Sequence, residues 1–187
     1  MRVDLFTTIH KGVRTLMFDL SRAASRADIT STVAIDELVE HIDRVMTFID
    51  EHAKLEDQFV IPAVRALDPL LADELAYDHR GLDAVQREVQ LAADALALTD
   101  LSQRPTAGAQ LVRVINHFVA VHLLHMNREE TEVNATLWAG RSDVELGTLR
   151  AQIAGSLPTE RRALWAQILE PAMNPVERRQ LGGVRAA

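Results

Sequence analysis

The sequence predicts an all-α fold: an up-down-up-down four-helix bundle with short additional C-terminal helices. Alanine, leucine, glutamate and arginine dominate, and no alternating β-branched runs appear. Glycines and prolines fall mostly between long helix-patterned segments rather than within them. The 187 residues are 48% hydrophobic, enough for one well-cored domain.

The first helix is expected from about Asp4 to Ala27, with Phe6, His10, Val13, Met17 and Leu20 along its inner face. The polar run 28–32 is a loop. The second helix should run from about Val33 to Leu67, with Leu38, Ile42, Val45, Ile49, His52, Glu56 and Phe59 inward. Pro62 should end it early or kink its last turns. Asp68-Pro69 reads as an N-cap followed by proline at the first helical position, opening a third helix to about Leu98. After a connection from Thr99 to Pro105, the fourth helix spans about Thr106 to Trp138 and closes at Ala139-Gly140-Arg141. Ser142 with Glu145 three residues on reads as a capping box opening a shorter helix. Gly155, Pro158 and Asn174-Pro175 mark off two more short segments. Residues 1–140 thus form the bundle, and residues 141–187 form short helices packed on it within the same domain. Leu164, Trp165, Ile168 and Leu169 must be buried, either by capping the bundle or by forming a dimer surface.

Composition removes several classes of function. There is no cysteine, so disulfides, iron–sulfur clusters, thiolate zinc sites and cysteine nucleophiles are excluded. The formal net charge of -7 argues against a nucleic-acid or anionic-membrane partner, which would require a concentrated basic patch. The N-terminus lacks the apolar run of a signal peptide, and no apolar stretch approaches the roughly 20 residues of a membrane span. A cytoplasmic protein is expected.

The chemistry lies in two repeated pairs. His52 is followed four residues later by Glu56, and His125 by Glu129. On a helix such residues stack on one face, where an imidazole nitrogen and a carboxylate oxygen can grip one metal ion or one ion each of a close pair. Glu56 and His79 lie about ten residues from the turn between the second and third helices, roughly 15 Å at ~1.5 Å per residue. His10, counted from the first loop, and His125, counted from the third, reach a similar depth. All four helices therefore bring a histidine to one level. Neutral imidazoles and carboxylates without thiolates suit iron, manganese or zinc. Glu56 and Glu129 are the natural bridging candidates, since a carboxylate can span two cations. His41 and His117 fall off this level or face and read as structural or exposed. Arg14, one turn after His10, should pair with an acid.

His10, the His52/Glu56 pair, His79 and the His125/Glu129 pair resemble the pattern of the hemerythrin-like, histidine–histidine–glutamate (HHE) cation-binding domain. Phe59-Val60-Ile61-Pro62 is similar to the family as well. The resemblance covers about Asp4 to Trp138. It implies a four-helix bundle holding a non-heme di-iron centre with oxo and carboxylate bridges. In that picture His10 and His52 hold one iron, His79 and His125 hold the other, and Glu56 and Glu129 bridge them. Dioxygen would bind end-on at an open iron position, giving oxygen binding or sensing. Three features depart from the oxygen carriers. Asp83 stands where their third helix supplies a second histidine. Glu130 stands where they place an aspartate. His122, one turn before His125, is an extra histidine that could replace the missing one. An oxidase or peroxide-consuming enzyme, an iron storage or signalling module, and an interaction module stabilised by metal are the alternatives.

Overall fold

Every regular element is helical among residues 2–179, the part of the chain that the computed structural model describes. Helix α1 (Thr7–Arg26) starts later than its apolar pattern does, because Asp4 caps it from outside. The Asp4 carboxylate accepts from the backbone N–H groups of Phe6 and Thr7 at 2.8 and 2.9 Å. Helix α2 (Thr32–Leu55) is capped by Ser31, whose hydroxyl accepts from the Ala34 N–H at 3.3 Å. The chain stays helical through Pro62, but not as a uniform α-helix. A π-helical turn (Glu56–Val60) separates α2 from the short α3 (Ile61–Arg65). Proline has no N–H to give one turn back, and its ring crowds the carbonyl there. The widened turn before Pro62, closed by the Ile61 N–H on the Glu56 carbonyl, absorbs that conflict without a break.

Helix α4 (Pro69–Leu98) follows the expected bounds, with the Asp68 carboxylate accepting from the Leu70 and Leu71 N–H groups, both at 3.1 Å. Helix α5 (Arg104–Arg128) leads into a second π-helical turn (Glu129–Val133) and then α6 (Asn134–Gly140). The capping box of Ser142 and Glu145 opens α7 (Asp143–Ser156), and α8 (Thr159–Ala172) follows.

The four long runs form a closed ring: α1 packs against α2 and α5, and α4 packs against the same two. Their inner faces fill two apolar clusters. One is built on Val13, Met17, Leu20, Ile42, Ile49, Val89, Ile115 and Phe118. The other is built on Phe6, Val60, Val64, Leu75, Val133 and Leu137. The predicted inner histidines and glutamates lie in sequence between residues of the two clusters.

Helix α8 lies on the bundle against α1. Gly12 makes this approach feasible, since a Cβ there would sit 2.8 Å from Leu169 Cδ2 and 3.2 Å from Ile168 Cγ2. Trp165 is buried in the first cluster and donates its indole N–H to Glu51 at 2.6 Å. Arg161 grips the same carboxylate with two N–H groups, at 3.0 and 2.9 Å, while its guanidinium covers the Phe48 ring. The bundle thus covers the apolar side of the C-terminal segment.

One expectation is corrected. Taken as a single run, Arg104–Gly140 is long and apolar enough by composition to cross a membrane, with a window of mean hydropathy 1.3. Its length joins α5, a π turn and α6, and it buries His122, His125 and Glu129 against the other helices.

Replacing Trp165 with alanine should cost about 3–5 kcal/mol of stability in urea unfolding, with loss of hydrogen-exchange protection along α8. Unchanged protection would contradict the packing. Acid should loosen the same helix. Burial pushes the Glu51 carboxyl up, but hydrogen bonds from Arg161 and Trp165 together bring it below its ordinary value of 4.5. Its contribution is therefore complete above pH 4.5 and lost as pH falls below that.

Candidate metal centre

Each long run delivers one histidine to the layer between the apolar clusters: His10 from α1, His52 from α2, His79 from α4 and His125 from α5. The two glutamates enter at the first residue of each π turn. His10 is 0% exposed, Glu56 5%, His79 5%, His125 9% and Glu129 2%, and His52 is partly buried.

The polar atoms converge. His52 Nε2 lies 3.2 Å from Glu56 Oε1, and His125 Nε2 lies 3.4 Å from Glu129 Oε1. His10 Nε2 faces both carboxylates, at 3.7 Å from Glu56 and 3.4 Å from Glu129. His79 Nε2 is 3.7 Å from Glu56 Oε2 and 3.0 Å from His125 Nε2. Two sets of four follow. His10, His52, Glu56 and Glu129 can each offer one ligand atom within 4.8 Å of the others, and so can Glu56, His79, His125 and Glu129. The two glutamates belong to both sets.

These atoms lack ordinary partners. His10 Nε2, His52 Nε2, Glu56 Oε1 and Glu129 Oε2 are buried with no hydrogen bond among the described residues. Orphaned buried polar atoms are rare and costly, and here they point at one another. A cation among them would satisfy all of them, so the donor set fits a metal ion.

Outer carboxylates orient two of the rings. His79 Nδ1 is 2.7 Å from Asp57, and His10 Nδ1 is 2.9 Å from Glu130, which Arg14 holds at 2.8 Å. Behind His125, Asp78 lies 3.9 Å from Nδ1 and is held by Arg128 at 3.1 Å. An Nδ1–H bonded outward leaves the Nε2 lone pair facing the centre, as a metal ligand requires.

The electrostatics are those of anions crowded out of water. Burial pushes Glu56 up to about 7, helped by the charge of Glu129. Glu129 is also penalised by burial, but the imidazoles of His10 and His125 beside it hold it well below the ordinary range. Burial lowers His10 and His125 too, yet their glutamate partners raise both overall. His52 falls to about 3, through burial and then the neighbouring His10. Without a metal, imidazolium protons do the neutralising.

The remaining candidates take other places. Glu130 is outside both sets, behind His10, where Arg14 finds the acid its position predicts. Asp83 is exposed and also outside the sets, but it lines a cavity of about 20 Å³ with His52, Glu56, His79, His122 and His125. His122 is buried and joins neither set. Its Nδ1 donates to the Phe118 carbonyl at 2.9 Å, and burial lowers it to about 4, so it is neutral. His41 and His117 join neither set, and His117 is exposed.

The π turns escaped sequence reasoning. The Ile61 N–H closes the first on the Glu56 carbonyl, and the Asn134 N–H closes the second on the Glu129 carbonyl. Pro62 was a cue for the first, but nothing in Glu129–Val133 marks the second.

The bundle and its buried histidine–glutamate layer define a helical cation-binding domain. The family profile of the hemerythrin HHE cation binding domain matches residues 1–137, and the chain belongs to that family. No curated protein and no solved structure matches it.

Alanine at Asp57 or Glu130 should each weaken metal affinity by about 10–100-fold in a competition titration, through loss of ring orientation. Asp83→Ala should leave that affinity unchanged. Equal affinities in all three variants would contradict the role given to the outer carboxylates.

Proposed function

We propose that the domain carries a carboxylate-bridged di-iron centre that binds or senses dioxygen or a related small oxidant. The observation that carries this reading is that Glu56 and Glu129 are common to both sets of four candidate ligands. A single-ion site would need one such set, whereas two sets sharing both carboxylates suit a bridged pair. His10 and His52 would hold one ion, and His79 and His125 the other. We also read the long runs as alternating in direction, since short links join consecutive packed runs.

Nitrogen and oxygen donors without thiolate suit iron, and would accept zinc or manganese as well. Iron, when bound, would supply the electrons that hold dioxygen reversibly. The chain's own residues do the rest. The imidazoles leave the centre with more neutral donors than an all-carboxylate site would have. The two apolar clusters flank the layer along the bundle. The cavity beside His79 and His125 has room for at least one water-sized molecule.

Anaerobic reconstitution should give about two irons per chain, and admitting air should produce a visible charge-transfer band. Glu56→Ala and His125→Ala should abolish uptake, while His41→Ala should leave it intact. Equal metal content in all three variants, or sub-stoichiometric iron without a band, would contradict the proposal. A stable oxygenated spectrum marks a carrier or sensor, and rapid bleaching with peroxide turnover marks an enzyme.

A further inference from the structure

We propose that the cavity beside the cluster takes a small ligand bearing its own hydrogen, of the size and class of hydrogen peroxide. His122 would select that ligand by accepting its hydrogen bond. The inference rests on the metal reading above, because the ligand would sit against the same centre.

The cavity has apolar walls from Val13, Ile49, Leu82 and Met126. Its polar lining comes from the cluster itself, from Asp83 and Gln86, and from His122. His122 differs from the cluster histidines in belonging to neither ligand set. Its tautomer follows from its one hydrogen bond. The Phe118 carbonyl can only accept, so the hydrogen is on His122 Nδ1. A neutral ring protonated there has only a lone pair at Nε2. That nitrogen is buried and finds no partner among the described residues. The fully buried Phe118 ring, 4.2 Å from the imidazole centroid, helps to hold the ring in place.

In a lining that also holds the Gln86 amide, His122 therefore offers a fixed acceptor at Nε2. Dioxygen, nitric oxide and azide carry no hydrogen and gain nothing from it. A hydroperoxide-type O–H does. Discrimination of this kind comes from a buried polar atom left unpaired by the wrong ligand.

The test uses the full chain loaded with iron and oxidised, titrated with hydrogen peroxide and, separately, with azide at neutral pH. His122→Leu should keep the wild-type iron content, lose about tenfold in apparent affinity for peroxide, and leave azide binding unchanged. His122→Gln, which restores an acceptor oxygen, should recover part of the peroxide affinity. Loss of iron in His122→Leu, with the fold intact by circular dichroism, would make His122 a ligand and overturn the proposal. An unchanged peroxide-to-azide ratio in an iron-replete variant would overturn it while leaving the metal reading in place. A wild-type chain that takes up no iron would overturn both. Independently of metal, nitrogen-15 NMR of the apoprotein should show His122 protonated at Nδ1, and the opposite tautomer would refute the acceptor role.

Discussion

Glu56 and Glu129 are buried in one layer of the bundle, together with four imidazoles and between two apolar clusters. Two carboxylates taken out of water are tolerated only if positive charge comes with them. In the bare protein that charge is protons, which is why Glu56 is pushed up to about 7 while His10 and His125 are raised against the effect of burial. Protons satisfy the layer poorly, as the orphaned atoms on His10, His52, Glu56 and Glu129 show. A cation on the shared carboxylates satisfies it better. Much of the surrounding architecture can be understood as serving that one requirement.

The backbone serves it through the π turns. Each begins at a bridging candidate and shifts the helical register just after it. In each run the glutamate faces the centre and the valine four residues on, Val60 or Val133, belongs to the second apolar cluster. Irregular turns of this kind are often found at functional sites. A second set of acids then works from outside. Asp57 and Glu130 each fix a ring through Nδ1, and Arg14 keeps Glu130 in place. On the far side of α1, Gly12 admits α8, whose Trp165 and Arg161 fasten onto Glu51, the neighbour of His52. The C-terminal segment lies beyond the matched family region yet braces the helix that carries His52 and leads directly into Glu56.

Much of this was legible in the sequence because it depends on local spacing. The caps at Asp68 and Ser142 are short-range hydrogen bonds, and the structure shows both. The His52/Glu56 and His125/Glu129 pairs are four residues apart, so helical geometry alone predicts that they stack. Depth from the turns was enough to bring His10 and His79 to the same level. What could not be read depends on the angle between helices. Asp57 follows Glu56 directly and should point elsewhere on one helix, yet it reaches His79 on another. Arg14 was expected to find an acid, but only the fold shows that the acid is Glu130, which lies behind His10 and outside both sets. The second π turn was invisible because Glu129–Val133 contains ordinary helix-compatible residues without a proline. The apolar character of Arg104–Gly140 was underestimated because its histidines and glutamates interrupt the pattern to the eye without lowering its mean hydropathy enough.

The most direct measurement is anomalous diffraction at the iron edge from crystals of the reconstituted protein. The account predicts two peaks, one beside His10 and His52 and one beside His79 and His125, with Glu56 and Glu129 each within coordination distance of both. A single peak, or a peak held by His122 and Asp83 without either glutamate, would contradict it.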